Sequence, residues 1–167
     1  METTEPAPIV RVATRGDVAE VVDLYRRLAR EQSALRPLWE YADGFNEPVA
    51  ESVESIIAAD DRTLYVAEES GAVVGFLEAI VERLLDQGEG ESVGVVRMIY
   101  TLEGVRGVGI GDAMLAHALA VFRGQGIKLF DARVSPGHRS AKNFFEAHGF
   151  KARLIVMHSV DEGGLTT

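Results

Sequence analysis

Glycines at 107, 109 and 111 alternate in residues 100–112, between a Val- and Ile-rich run and an amphipathic one. Small residues there let main chain approach a ligand closely, and the free N–H groups of a following helix start present the positive end of its dipole. The chemistry this pattern supports is a phosphate cradle that needs no cationic surface. A P-loop would need Lys and then Ser or Thr after its last glycine, and Asp112-Ala113 follow instead. The dinucleotide fingerprint would need glycine at 112, which is Asp. A glycine-rich turn with no ligand is the alternative.

Glu78 is the second feature. It follows Gly75-Phe76-Leu77 in mid-strand, an odd place for a charge unless it faces a pocket, and it shares one strand face with Glu82. A solvent-facing Glu is the alternative. The four His, at 117, 138, 148 and 158, are scattered, and the ten-residue spacing of His138 and His148 fits no usual ligand motif. No metal is expected. With no Cys, disulfides, thiolate metal sites and a cysteine acyl-enzyme are excluded, which fits a reducing, cytoplasmic setting.

The elements that must position these residues follow from period and punctuation. Residues 9–13 read as a strand. Thr14 or Asp17 caps a helix carrying Val18, Val21, Val22, Tyr25, Leu28 and Ala29 at helical spacing, fading before Pro37. Residues 47–59 form a second helix. Residues 64–67 and 72–82 form an antiparallel hairpin about the turn 68–71, and 86–91 is a polar loop. A long strand covers 92–101, a helix 111–124, a strand 128–134, a helix 140–148 and a final strand 152–160. The result is a mixed α/β sheet. The 167-residue length, 47% apolar fraction and 26% charged fraction suit one globular domain over 1–167 with a frayed tail at 161–167. No run approaches the ~20 apolar residues that span a bilayer, and residues 1–6 lack a signal peptide's basic start. The net charge of −9 disfavours nucleic acid and anionic lipid and favours a cationic substrate.

Arg106-Gly107-Val108-Gly109-Ile110-Gly111 resembles the signature of the GNAT superfamily of acyl-CoA-dependent N-acyltransferases: Arg or Gln, two residues, Gly, one residue, Gly. Residues 141–150, ending in Gly149-Phe150, resemble that family's second motif, a short helix ending in Gly-Phe. The resemblance runs in element order from about residue 8 to 160. It implies a mixed, mainly antiparallel sheet flanked by helices on both faces, with a splayed pair of central strands. It also implies acetyl-CoA as co-substrate, acetyl transfer to a primary amine by direct attack in a ternary complex, and often a homodimer through the final strands. Backbone at Ile99, Tyr100 and Thr101 would pair with the pantetheine arm, and N–H groups of Gly107, Val108, Gly109, Ile110, Gly111 and Asp112 would hold the pyrophosphate. Asp112 is expected to turn its side chain away and cap the helix. Arg106 would help neutralise the anion or be solvated. Arg139 and Lys142 would meet the adenosine phosphates or form a wet helix face, and His138 falls where relatives commonly keep a cofactor-contacting Asn.

An aliphatic ammonium, with pKa near ~10.4, must lose a proton before attacking. Many relatives supply a Glu from the central strand, but 93–99 holds no acid, so Glu78 is the expected base or amine anchor, with Glu103 a loop alternative. Many relatives place a Tyr in the last helix to protonate the thiolate. Phe145 stands there, close to the cofactor, and Tyr100, Ser140, His138 or water must substitute. By family analogy the acceptor is chosen at the junction of the first two helices, where Trp39 and Tyr41 stand among carboxylates. That mixture suits a small cationic amine or a protein amino group; a loop pinned by buried aromatics is the alternative. Two other classes stay open, a non-catalytic acyl-CoA sensor and a structural domain with a degenerate glycine loop.

Overall fold

The computed structural model describes residues 7–35, 44–84 and 91–157. Ile9–Val12 is β1, and a 3-10 turn at Arg15–Asp17 leads into α1, Val18–Leu35. The Asp17 carboxylate accepts from the Thr14 N–H at 2.7 Å and from its hydroxyl at 3.0 Å, and pairs with Arg11, which holds it well below the usual carboxylate range. α2 is Val49–Ala58, β2 Arg62–Glu69 and β3 Ala72–Arg83. β4 is Ser92–Thr101, α3 Ile110–Gly124, β5 Leu129–Ala132 and α4 Arg139–Ala147. Ser70 and Gly71 both take left-handed backbone (φ 51° and 82°), as a two-residue hairpin loop requires, and β2 is therefore longer than the apolar run suggested.

The five strands lie in chain order, antiparallel except for the parallel pair β4 and β5. Alternation along the strands sorts side chains onto two cores. Leu64, Val66, Phe76, Met98 and Tyr100 pack under α1 and α2, whereas Tyr65, Ala67, Leu77, Ala79 and Val96 pack with α3 and with Phe145 of α4. Each such large side chain removed from water contributes roughly 1.5–3 kcal/mol. α3 lies so close to the sheet that a Cβ on Gly94 would stand 2.5 Å from the Phe122 ring, so only glycine fits there.

Two irregularities shape the middle of the sheet. Glu78 pairs with Met98 but Ala79 with Val96, so Arg97 is an extra residue in β4, a bulge that bends the strand. The parallel pairing ends at Val96 and Ala132, followed by one bond from the Arg133 N–H to the Val96 carbonyl at 3.0 Å. Past that point β4 runs on to Thr101 while β5 has ended. This is the splayed pair that the resemblance implied.

One expectation fails. Residues 151–157 form no strand, and 158–160 lie outside the described residues. Leu154, Ile155, Val156 and Met157 are 73–86% exposed, and Arg153 meets Asp131 of β5 through side chains, its Nε donating at 2.9 Å, in place of a ladder. This segment, apolar on both faces, is left uncovered by the described residues.

Candidate functional site

The fork between β4 and β5 opens onto unpaired main chain. The Leu102 N–H donates to the Val74 carbonyl at 2.8 Å. By antiparallel alternation, Tyr100 also directs its main-chain groups at β3, and Ile99 and Thr101 direct theirs into the fork. An extended arm laid there would add as a strand. The Thr101 carbonyl already accepts from Arg106 Nε at 2.9 Å.

At the far lip of the fork lies the glycine loop. Gly107 and Gly109 have φ of 86° and 88°, and Gly109 is the N-cap of α3. A Cβ at Gly107 would meet nothing within 4 Å, and one at Gly109 only Asp112 Oδ2 at 4.0 Å, so the space above the loop is open. The Ala113 N–H turns back to the Gly109 carbonyl at 2.9 Å, so the N–H groups of Ile110, Gly111 and Asp112 belong to the open first turn. A diphosphate fits this cradle. Gly111 differs, because a Cβ there would stand 3.3 Å from the Phe144 ring, and its smallness seats α4 on α3. The Asp112 side chain does turn away, but to His148 Nε2 at 2.9 Å rather than to a cap. It therefore ties α3 to the end of α4.

The end of α1 reaches over both lips, which sequence reasoning missed. Glu31 accepts from Arg106 Nη2 at 2.9 Å with each oxygen and from the Tyr100 hydroxyl at 2.8 Å. Arg106 is thus committed to a carboxylate, and its guanidinium also lies 5.2 Å from the centre of the Tyr100 ring. Burial and the bond to Glu31 push the Tyr100 phenol up to about 12. On the other lip, Gln32 Nε2 lies 2.6 Å from His138 Nδ1. The amide donates, so His138 is neutral with its proton on Nε2, consistent with burial pulling its pKa down. The adjacent pair Glu31-Gln32 at the end of an amphipathic helix gave no signal of its own.

Glu78 lies on the α1 and α2 face, opposite Leu64 on β2 and Met98 on β4, and is fully buried. Arg97 Nη1 reaches Glu78 Oε1 at 3.3 Å and Arg62 Nη1 the same oxygen at 3.6 Å, while Oε2 is buried with no hydrogen-bond partner among the described residues. Burial pushes the Glu78 carboxyl up, against the opposing pull of Arg97, Arg62 and Arg133. Arg97 was legible on the same ground as Glu78, a lone charge inside an apolar strand.

Among the remaining sequence-predicted residues, Arg139, Ser140 and Lys142 are exposed on α4, and Lys142 pairs with Glu146. Val108 is exposed on the loop. Phe145 is buried against Phe144 and Phe150. Trp39 and Tyr41 lie outside the described residues. Of that junction Phe45 is described, and it packs on Tyr25 and Phe76 as core. Among the described residues no group of His, Cys, Asp or Glu could hold a metal ion, and no helix is long and apolar enough to cross a membrane.

A fork of main chain ending in an open glycine-capped helix start is the combination that a family comparison can decide. The model of the acetyltransferase (GNAT) family matches residues 19–150. The chain belongs to the GNAT family. This GNAT protein matches no curated protein sequence. Its fold is shared with a structure described as a transcriptional regulator from Bacillus halodurans C-125, at 23% identity and TM-score 0.73, covering 91% of this chain and 99% of that one. It is shared too with the aminoglycoside N-acetyltransferase AAC(6')-Iy in complex with CoA, at 16% identity and TM-score 0.73, covering 97% and 99%. An aminoglycoside acetyltransferase from an uncultured soil metagenomic sample, in complex with trehalose, is similar over 92% and 94% at 14% identity and TM-score 0.68. The GNAT fold expected from the motifs is therefore present.

Proposed function

We propose that this GNAT protein is an acetyl-CoA-dependent N-acetyltransferase acting on a primary amine, by direct attack with both substrates bound. The observation that carries the reading is the continuity of the fork at Ile99 and Thr101 with the open cradle at Gly107 to Asp112. Acetyl-CoA supplies the activated acetyl thioester; the remaining work falls to this chain. The N–H groups of the first turn of α3 hold the diphosphate with the help of the helix dipole. Ile99 and Thr101 align the pantetheine arm by main-chain pairing, which requires Arg106 Nε to leave the Thr101 carbonyl. Holding the two reactants at one place removes much of the entropy cost of their meeting.

Glu78 takes the proton from the acceptor amine or anchors it, since its Oε2 has no hydrogen-bond partner among the described residues. The three candidate acids are unequal. Tyr100, held at about 12 and already donating to Glu31, would give its proton uphill to a thiolate whose pKa is near ~8.5. Ser140 at the start of α4 and His138 on the lip are the other side-chain candidates, and solvent is the remaining route. Arg139 and Lys142 sit where α4 would meet the adenosine phosphates. The whole chain acts as one domain, and its lack of Cys suits the cytoplasm.

The reading is tested by calorimetry with acetyl-CoA and by CoA release against a panel of amines. Micromolar binding with amine-dependent release is expected. Binding without release from any amine leaves the sensor, a reading that the burial of Phe145 in place of a Tyr favours, and no binding removes both. We propose further that residues 154–157 pair with a second copy. Sedimentation should show a dimer that Ile155→Asp dissociates, and a monomeric parent protein would end that proposal.

A further inference from the structure

The glycine cradle contains a charge of the wrong sign. Asp112 stands in the first turn of α3, three residues after the Gly109 N-cap, where a diphosphate would meet the first-turn N–H groups. A carboxylate at that position is favoured by the helix dipole, and it can turn back to bond the N–H groups of its own first turn. There it is the helix's own anion, repelling a diphosphate and filling its donors. The reach is short, since Asp112 Oδ2 lies 4.0 Å from the point where a Gly109 Cβ would stand. Yet the helix start has no side-chain cap bond. Arg106, the cation of the loop, is bound by Glu31.

Asp112 is held instead by His148, at the C-terminal end of α4, whose Nε2 lies 2.9 Å from Asp112 Oδ1. The imidazole is itself fixed. Its Nδ1 lies 2.8 Å from the Phe144 carbonyl, and its ring lies against the Phe144 ring with centres 4.6 Å apart. A carbonyl oxygen only accepts, so Nδ1 carries a hydrogen; a carboxylate also accepts, so Nε2 donates as well. The imidazolium makes both bonds together, and its contact with Asp112 is then an ion pair as well as a hydrogen bond. Phe144 in turn lies close to Gly111, where an added Cβ would stand 3.3 Å from its ring. Phe144 and His148 thus form one support from α4 beside the cradle.

Resting on the acetyltransferase reading above, we propose that His148 is a positioning residue for the cofactor. It draws the Asp112 carboxylate off the first turn of α3 and neutralises it. The diphosphate of acetyl-CoA then takes N–H groups that Asp112 would otherwise fill. His148 acts through Asp112, and on binding rather than on the acetyl transfer step.

The test is a double-mutant series read by calorimetry with acetyl-CoA and by steady-state kinetics. His148→Phe keeps a ring against Phe144 and loses the donor and its charge. It should weaken Kd for acetyl-CoA about fivefold, the size of a helix-end charge effect, and raise KM for it equally with kcat unchanged. Adding Asp112→Ala should return Kd to within about twofold of the parent, because the freed carboxylate is gone and the two changes are coupled. A role confined to joining α3 and α4 predicts the opposite, a double variant as weak as His148→Phe. That result, or parent affinity in His148→Phe, overturns the proposal and leaves acetyl-CoA binding standing. Should His148→Phe fail to fold, Asp112→Ala alone decides. It leaves the imidazolium unopposed beside the diphosphate and should bind acetyl-CoA more tightly than the parent; equal or weaker binding overturns the proposal. A parent protein that binds no acetyl-CoA is a separate failure, of the acetyltransferase reading itself, and takes this proposal with it.

Discussion

Gly109→Val should abolish acetyl-CoA binding in a protein that still folds, weakening Kd by at least ~100-fold, or about 3 kcal/mol. Gly109 holds φ of 88° as the N-cap of α3. An L-residue there costs roughly 1–2 kcal/mol, and a β-branched one more. The open surroundings of this position mean that the added methyl groups cost nothing by clash with the protein itself; they fill the space that a diphosphate must enter. Losing two charge-assisted hydrogen bonds at ~1.5–3 kcal/mol each accounts for the effect. Gly126→Ala is the control, since Gly126 has φ of 79° and open surroundings beyond the other end of α3. It should lower the melting temperature without touching affinity. Calorimetry on both variants decides, and wild-type affinity in a folded Gly109→Val protein would remove the cradle from the reading.

The sheet was legible because its signals are local. Val and Ile alternation set β4, Ser70-Gly71 set the hairpin, and the glycine loop is a strand-to-helix junction on its face. What the sequence concealed lies in contacts between distant segments. Arg106 was open to two readings, a helper of the anion or a solvated loop residue, yet Glu31, 75 residues away, holds it. Asp112 looked like a cap, yet His148 on another helix claims it. The bulge at Arg97 arises from the pairing of β3 with β4, which no single-strand pattern reveals. The last strand misled for the opposite reason. Residues 154–157 have strand chemistry, but strand chemistry is realised only where a neighbouring edge and a covering layer are both available.

Those distant contacts change how the site is understood to work. Glu31 and Gln32 are neighbours in α1 and bind opposite lips of the fork, so the end of α1 closes over it. If the fork holds the pantetheine arm, as proposed, cofactor binding and the position of α1 are coupled through these two side chains.

Glu78→Gln should lower kcat by about 10²–10⁴-fold, the usual contribution of a positioned base, with acetyl-CoA affinity within twofold of the parent. The sign of the pH dependence follows from the cause of its shift. Burial raises the Glu78 carboxyl above its ordinary value of 4.5 and the arginines oppose this without cancelling it. A base must be ionised to work, so kcat should fall as pH drops through that raised pKa, and the acidic limb should lie above 4.5. In the Gln variant this limb disappears. Only acceptor already present as free amine can then react, so the deficit should shrink as pH climbs toward the amine's ~10.4. Stability carries the same signature. The folded chain binds this proton more tightly than the unfolded one, so the contribution is whole below the ordinary value and is lost as pH rises through the raised one. Denaturant midpoints across that window should lose the slope in Glu78→Gln. A full-rate variant that keeps the acidic limb would show that the charge in mid-strand serves only to hold Arg97 and Arg62 in place.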